Sequence, residues 1–164
     1  MLEGKTAIVT GGGRGIGEAI ALALAAEGCA VLVAGRTAVH LEKVAGQIQN
    51  SGRESFAVVC DVADPQSVEE LFRTAHERWE KLDILVNNAG QSHSEPLVRL
   101  SLETWKHMLD INLTGTFLCS QAALRWMLPR KSGRIINIAS TAARIGFRYA
   151  GAYAAAKHGV IGLT

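Results

Sequence analysis

Short apolar runs alternate along the chain with longer stretches whose apolar residues recur every three or four positions, the pattern of βαβ units that build a parallel sheet. Lys5 to Thr10, Val31 to Ala34, Ser55 to Val59, Ile84 to Asn87 and Arg134 to Ile138 read as five strands. The first helical stretch, Gly17 to Glu27, places Ile20, Ala23 and Leu24 on one face and ends at Gly28. Val39 to Asn50 carries an inner stripe of Leu41, Val44, Ala45 and Ile48. Asp64-Pro65 supplies a cap and a first-turn proline for a helix that runs through Val68, Leu71, Phe72 and Ala75 toward Trp79. Gln91 to Leu100 reads as a loop. Ser101, with Thr104 nearby, opens one long helix through Trp105, Met108, Leu109, Leu113, Phe117 and Ala122 to Met127, and Pro129 with Ser132-Gly133 stops it. Gly115 inside that helix either weakens it or permits close packing. Ala152 to Thr164 begins a further helix. No internal repeat or low-complexity linker interrupts the series, so residues 1–164 read as a single α/β domain with a doubly wound parallel sheet and helices on both faces.

Composition narrows the class. Of 164 residues, 48% are hydrophobic and 20% charged, and seventeen Gly stand against three Pro, which disfavours disordered and collagen-like chains. Seventeen Lys and Arg against fifteen Asp and Glu, spread without a block of one sign, leave no nucleic-acid footprint. Cys29, Cys60 and Cys119 are widely spaced in apolar contexts and read as reduced core residues rather than a disulfide framework or zinc site. The five histidines show no metal-ligand spacing, so no metal is expected. The N-terminus offers no signal-peptide core, and no stretch reaches the roughly 18 apolar residues of a membrane span. A cytoplasmic location with no membrane partner is the default expectation.

The first strand runs into Thr10-Gly11-Gly12-Gly13-Arg14-Gly15-Ile16-Gly17. A strand, a Gly-rich turn and a helix start together make an anion site, because unpaired N–H groups and the helix dipole face whatever docks there. A tight turn without ligand is the plainer alternative. The G-x-G-x-x-G fingerprint finds no register here. The P-loop register ending at Gly17 is followed by Glu18, which repels phosphate where a Lys should attract it, so an NTPase is disfavoured. No G-x-S-x-G elbow is present, which removes the simplest hydrolase.

What remains is Thr-Gly-x-x-x-Gly-x-Gly, with Gly11, Gly15 and Gly17 fixed. With it come Asp61-Val62 after the third strand, Asn87-Asn88-Ala89-Gly90 after the fourth, Asn112 in the long helix, and Ser140, Tyr153 and Lys157 in the pattern Ser-x12-Tyr-x3-Lys. In these motifs, over essentially its whole length, the chain resembles the short-chain dehydrogenase/reductase family, whose fold is a Rossmann-type sheet. The resemblance implies a cofactor site at Gly11, Arg14, Gly15, Ile16 and Gly17, with Asp61 and Val62 beside the adenine and Asn88, Ala89 and Gly90 bracing the sheet next to the cofactor. It further implies Tyr153 as general acid in reduction, Ser140 holding the substrate oxygen, Lys157 favouring the phenolate and contacting the nicotinamide ribose, and Asn112 anchoring a water in a proton relay. The residue chemistry agrees: Tyr153 and Lys157, four apart, share a helix face, and an ammonium beside a phenol favours its ionised form. A hydroxyl at a strand's carboxyl end lies where open α/β sheets bind ligands. Singly, each residue has a structural alternative: an amphipathic pair, a turn serine, a strand-end Asp or a solvent-facing Asn.

The second strand ends in Ala34-Gly35-Arg36, where an NAD enzyme usually carries an acid for the ribose 2'-hydroxyl and an Arg suits a 2'-phosphate. Gly35 occupies that place, and Arg36 and Arg14 are planar cations matched to phosphate. NADP(H) is therefore expected over NAD(H), the alternative being Arg36 stacked on adenine with Arg14 solvated.

The run of the chain is similar to the 3-oxoacyl-(acyl-carrier-protein) reductase branch and to related 3-hydroxyacyl or sugar dehydrogenases. A 3-oxoacyl thioester or similar ketone is the favoured small-molecule substrate, with Gln91 to Pro96 and Thr141 to Ala152 as substrate loops and Ile145, Phe147 and Tyr149 as an apolar wall. His93 either lines the pocket or is a solvated loop residue. Arg144, Arg148, Arg125, Arg130, Lys131 and Arg134 suit an anionic carrier, or, at the end of the long helix, simply its dipole. The family further implies a homo-oligomer, dimer or tetramer, through the long helix and the helix carrying Tyr153. A sheet of order 3-2-1-4-5-6 needs a sixth strand, yet only seven residues follow Lys157. The expectation is a domain cut short, with the fifth strand left as an apolar edge and either a longer natural polypeptide or a partner chain covering it. A non-catalytic NADP-binding module is the alternative function.

Overall fold

A computed structural model describes residues 1–164. Five strands, β1 (Thr6–Thr10), β2 (Ala30–Gly35), β3 (Ser55–Val59), β4 (Ile84–Asn87) and β5 (Arg134–Asn137), form one sheet in the order β3-β2-β1-β4-β5. All neighbouring strands are parallel, with Val9 level with Val33 on one side and Val86 on the other. Consecutive residues of β1 face opposite ways, and both faces are covered. Ile8 joins a core with Leu71, Phe72, Cys119 and Ala123, whereas Ala7 and Val9 join one with Ala21, Leu41, Val44 and Ile48. Helices α1 (Gly15–Ala26) and α2 (Ala38–Asn50) thus cover one face, and α3 (Pro65–Arg78) with the C-terminal half of the long helix covers the other. All three cysteines are buried and unpaired, as their contexts imply. No helix is long and apolar enough to cross a membrane. The last strand, β5, pairs with β4 alone and leaves Ile136 nearly half exposed.

The expected long helix from Ser101 to Met127 is continuous, but it widens midway into a π-helical turn. Ser101 caps α4 (Leu102–Leu109), its Oγ accepting from Thr104 N at 3.0 Å; a π-helical turn, Asp110–Thr114, follows; and α5 (Gly115–Met127) completes the run. Asn112 sits in this wide turn. It is fully buried, not solvent-facing, and its Nδ2 donates to Met108 O and to Gln91 O, both at 2.9 Å, while its Oδ1 accepts from Gln91 N at 3.2 Å. A side chain reaching into the helix's own ladder and across to another loop is a recognised cause of such local widening, and apolar periodicity cannot reveal it. Gly115, just after the turn, allows close packing: a Cβ there would lie 2.7 Å from Val62 Cγ2. The last helix, α6 (Gly151–Leu163), packs on α4 and the π turn, where Gly159 leaves room for Leu113.

Charge at the amino-end edge of the sheet is fully matched. Asp83, 5% exposed, accepts from Thr6 N at 3.2 Å and lies 3.2 Å from Arg130, 3.4 Å from Lys5 and 3.7 Å from Lys81. Burial opposes its charge, but the Thr6 N–H and these cations outweigh that cost and hold the carboxyl below its ordinary pKa. Arg130, which also donates to Leu82 O at 3.0 Å, is thereby a structural cation rather than a free docking group.

Two measurements test these anchors. A carboxylate with a depressed folded pKa contributes stability that is complete above its unfolded pKa, near 4, and is lost as pH falls through the folded value. Asp83→Asn should therefore cost about 1–3 kcal/mol in urea unfolding at pH 7, with the gap to wild type closing only as pH drops below about 4. Asn112→Ala removes three hydrogen bonds and should cost about 2–3 kcal/mol, with faster amide exchange at Gln91 than at the buried β1 strand.

Candidate active site

The carboxyl ends of β1 and β4 are bound together through Thr10 and Asn88. Thr10 Oγ1 donates to Val86 O (3.2 Å) and accepts from Asn88 N and Ala89 N (both 3.1 Å). Asn88 Nδ2 donates to Thr10 O at 3.1 Å and Gly11 O at 3.2 Å. Gly11 takes a φ of +63° there, and a Cβ on it would lie 2.9 Å from Ala89 Cα. Gly17, in the first turn of α1, lies so close to Gly11 O and Asn88 Nδ2 that no methyl group fits. Gly15, at φ +58°, opens onto empty space, and Arg14 at the N-cap forms no side-chain cap bond. The start of α1 therefore presents uncapped N–H groups toward an open cradle, beside the exposed side chains of Arg14 and Ile16.

One narrow cleft of about 70 Å³ brings together Arg36, Asp61, Val62, Ala89 and Gly90. Asp61 also serves its own turn, accepting from Ala63 N at 3.0 Å, so the strand-end reading of this residue is correct as local structure. Arg36 and Arg14 are exposed and make neither ion pair nor side-chain hydrogen bond within the protein. Two further lining residues, Cys60 and Ile111, lie outside the sequence-derived set, and Gln91, expected at the start of a substrate loop, lines this cleft as well. Cys60 carries no sequence signal beyond an apolar context, and burial pushes its thiol pKa up.

Beyond β5 the chain turns at Ser140, whose Oγ accepts from Ala142 N at 3.1 Å and caps the short 3₁₀ turn Thr141–Ala143. With a lone pair so engaged, the hydroxyl keeps its proton free to donate outward. Tyr153 stands half-buried in the first turn of α6, and its hydroxyl has no protein partner. Lys157, one turn on, is 5% exposed, donates to Ile138 O at 2.7 Å and has its Nζ 5.9 Å from the Tyr153 ring centroid. It has no carboxylate partner, and burial lowers its pKa. Gly90 is the meeting point: a Cβ there would lie 2.7 Å from Asn112 Oδ1 and 3.7 Å from Lys157 Nζ. Lys157, Gly90 and Asn112 are thus brought into one neighbourhood, with Tyr153 on the adjoining turn, while no hydrogen bond links Ser140 to Tyr153.

The expected substrate loops frame this corner. Ile145, Phe147 and Tyr149 are exposed, and Tyr149 holds a φ of +64°, a left-handed conformation that costs a non-glycine residue about 1–2 kcal/mol. Its carbonyl accepts from Glu95 N at 2.7 Å, tying the two loops together. His93 lies 3.2 Å from the Glu95 carboxylate in the exposed part of the first loop.

Comparison with known proteins bears on this arrangement. The family model for short chain dehydrogenase matches residues 5–164. The chain is 44% identical to the 3-oxoacyl-[acyl-carrier-protein] reductase of Synechocystis sp., covering 99% of this chain and 66% of that one. It is 42% identical to 3-oxoacyl-[acyl-carrier-protein] reductase FabG of Staphylococcus aureus, over 98% of this chain and 65% of the relative. Among solved structures, a variant actinorhodin polyketide ketoreductase with NADPH superimposes with a TM-score of 0.94 at 38% identity, covering 98% of this chain and 62% of that one. The chain therefore spans somewhat under two thirds of the length of these relatives. With the family model matched over residues 5–164 and 44% identity across nearly the whole chain, it belongs to the short-chain dehydrogenase family.

Proposed function

We propose that the chain carries the cofactor site and catalytic side chains of an NADPH-dependent oxidoreductase that reduces a carbonyl to a secondary alcohol, with a 3-oxoacyl thioester as the favoured substrate. The observation that carries this reading is the buried, unpaired Lys157 one helical turn from Tyr153. A cation withdrawn from water without a carboxylate is costly, and such groups concentrate where chemistry needs them.

The residues fit a dinucleotide. The glycine cradle admits backbone close to a pyrophosphate at the start of α1, and Gly11, Gly15, Ile16 and Gly17 form its floor. Asp61 and Val62 would bound the adenine, Asn88, Ala89 and Gly90 the central part, and Tyr153 and Lys157 the nicotinamide ribose. Lys157 has three donors and one protein acceptor, leaving two for hydroxyls. When bound, the nicotinamide supplies the hydride. Ser140 then donates to the substrate oxygen, and Tyr153 Oη passes its proton to that oxygen as charge develops. The buried ammonium of Lys157 favours the negative charge this leaves on Tyr153. Asn112, with its amide engaged by Gln91 and Met108, acts by holding the wall of the site and the wide turn in which a relay water can sit.

Unpaired Arg14 and Arg36, with no acid at Gly35, support a preference for the 2'-phosphate. Names of the relatives support the carrier-linked ketone, and exposed Arg144, unlike Arg130, has no ion-pair partner and can face an anionic carrier. Half-exposed Phe117 and Leu124 on α5 and Ile161 on α6 support self-association through these helices.

Tyr153→Phe should lower kcat at least about 100-fold with acetoacetyl thioesters while weakening NADPH binding, read by fluorescence, by about tenfold at most, the loss of one hydrogen bond to the ribose. Equal turnover by both proteins would refute the assignment. Arg36→Ala should weaken NADPH binding about 10- to 100-fold with little effect on NADH. In Gly35→Asp a Cβ meets Leu41 Cδ2 at 3.3 Å, a contact that a small side-chain shift relieves, and the preference should move toward NADH. A wild type that binds NADH better overturns the cofactor reading.

A further inference from the structure

We propose that His107, on α4 and outside the cofactor cleft, is a positioning residue of the active site: by holding the Gln91 side chain it closes a ring of bonds that fixes Asn112 and, beyond it, Gly90 and Lys157. This rests on the carbonyl-reductase reading of Ser140, Tyr153 and Lys157, and adds a residue that acts on them from outside. Gln91 is the one residue that lines both the narrow cleft and a wide polar pocket of about 710 Å³ between α4 and the loop after β4, where His93, Glu103, Lys106, His107 and Asp110 surround it. It is the partition between the two. Its main chain is committed on both sides to one amide, since Gln91 N donates to Asn112 Oδ1 at 3.2 Å and Gln91 O accepts from Asn112 Nδ2 at 2.9 Å. Its side chain has a single protein partner, His107 Nε2, 3.2 Å from Gln91 Oε1.

These contacts form a closed circuit. From His107 the path runs through the Gln91 side chain to the Gln91 peptide, across to the Asn112 amide, and back through Asn112 Nδ2 to Met108 O at 2.9 Å. Met108 is the residue after His107, so the circuit ends where it began. Two bonds to one planar amide leave the Gln91 segment able to hinge about it, and the third bond, reaching from the neighbouring position on α4, removes that freedom. An amide oxygen only accepts, so the neutral imidazole carries its proton on Nε2, and the imidazolium donates from the same atom. The bond therefore persists whether the ring is neutral or charged. Gly90, joined to Gln91, carries the effect to the chemistry: a Cβ there would lie 2.7 Å from Asn112 Oδ1 and 3.7 Å from Lys157 Nζ, so this peptide has no slack against either. His107 itself is exposed and lines no part of the cleft, and it acts only through Gln91.

Hydrogen exchange, turnover and stability together test the ring. In His107→Ala the Gln91 amide should exchange roughly tenfold faster while the β1 amides keep their wild-type rates, and the melting temperature should stay within about 2 °C. With NADPH and an acetoacetyl thioester, kcat should fall roughly fivefold with KM little changed. His107→Gln, which brings an amide donor to the same point, should restore both exchange and kcat. Gln91→Met, of similar volume without the acceptor, should match His107→Ala, and the double variant should lose no more than either single one. Unchanged Gln91 exchange in His107→Ala would overturn the ring. Faster exchange with unaltered kcat, or losses that multiply in the double variant, would overturn the positioning role. A wild type that reduces no carbonyl would count instead against the carbonyl-reductase reading, while the exchange comparison would still decide the ring.

Discussion

The close approach of two loops at the carboxyl edge of the sheet governs the rest of the molecule. Thr10, Gly11 and Gly17 on one side meet Asn88 and Ala89 on the other, with one hydroxyl and one amide satisfying five backbone groups. Parallel strands end in unpaired N–H and C=O groups, and burying those without partners would cost more than any single packing contact contributes. Side-chain bonds from Thr10 and Asn88 solve this for β1 and β4. Because Gly17 lacks a side chain, α1 can start against the same knot, and its first N–H groups are left facing the cradle. The open cradle at the start of α1 is a by-product of how the sheet edge is closed.

Two buried charges divide the domain by function. Asp83, at the amino edge, has three cations and a backbone N–H around it, and its matched environment fixes the ends of β1 and β4. Lys157, equally buried at the carboxyl edge, has one carbonyl. The first arrangement lowers the energy of the folded chain alone, whereas the second leaves donor capacity and positive charge for something outside the chain. This contrast, more than the motif that contains it, is the physical ground for placing the proposed chemistry at α6.

Much of this was legible in the sequence, for identifiable reasons. Strands buried on both faces are short apolar runs, and α2 and α3 display the stripes that the sheet requires, so their existence and order follow from pattern alone. The glycine spacing records a steric demand and so marks its site directly. The π turn at Asp110–Thr114 was hidden because Asn112 widens the helix by bonding to Gln91, a residue 21 positions earlier, and no local period encodes that partner. Cys60 looked like core and is core, yet it also lines the cleft beside Arg36, a double role that depends on where the strand ends. Arg130 and Arg144 look alike as surface cations. Only the fold shows that one is bound to Asp83 and the other is free.

The strain at Tyr149 belongs to the same class of hidden feature, since a backbone angle is set by what the chain joins rather than by the residue that adopts it. Around the site, elements with fixed duties are tied to the sheet: Thr10 and Asn88 by the knot, Asn112 by three bonds, Lys157 by the carbonyl of Ile138. The loops that carry Glu95 and Tyr149 are joined chiefly to one another, through a backbone bond that is indifferent to side-chain identity. Side chains there can change without disturbing that bond, and the bond keeps whatever side chains are present over the same corner. The carboxyl edge thus combines a frame bonded to the sheet with loops bonded chiefly to one another, and side chains are free to vary in the second without loosening the first.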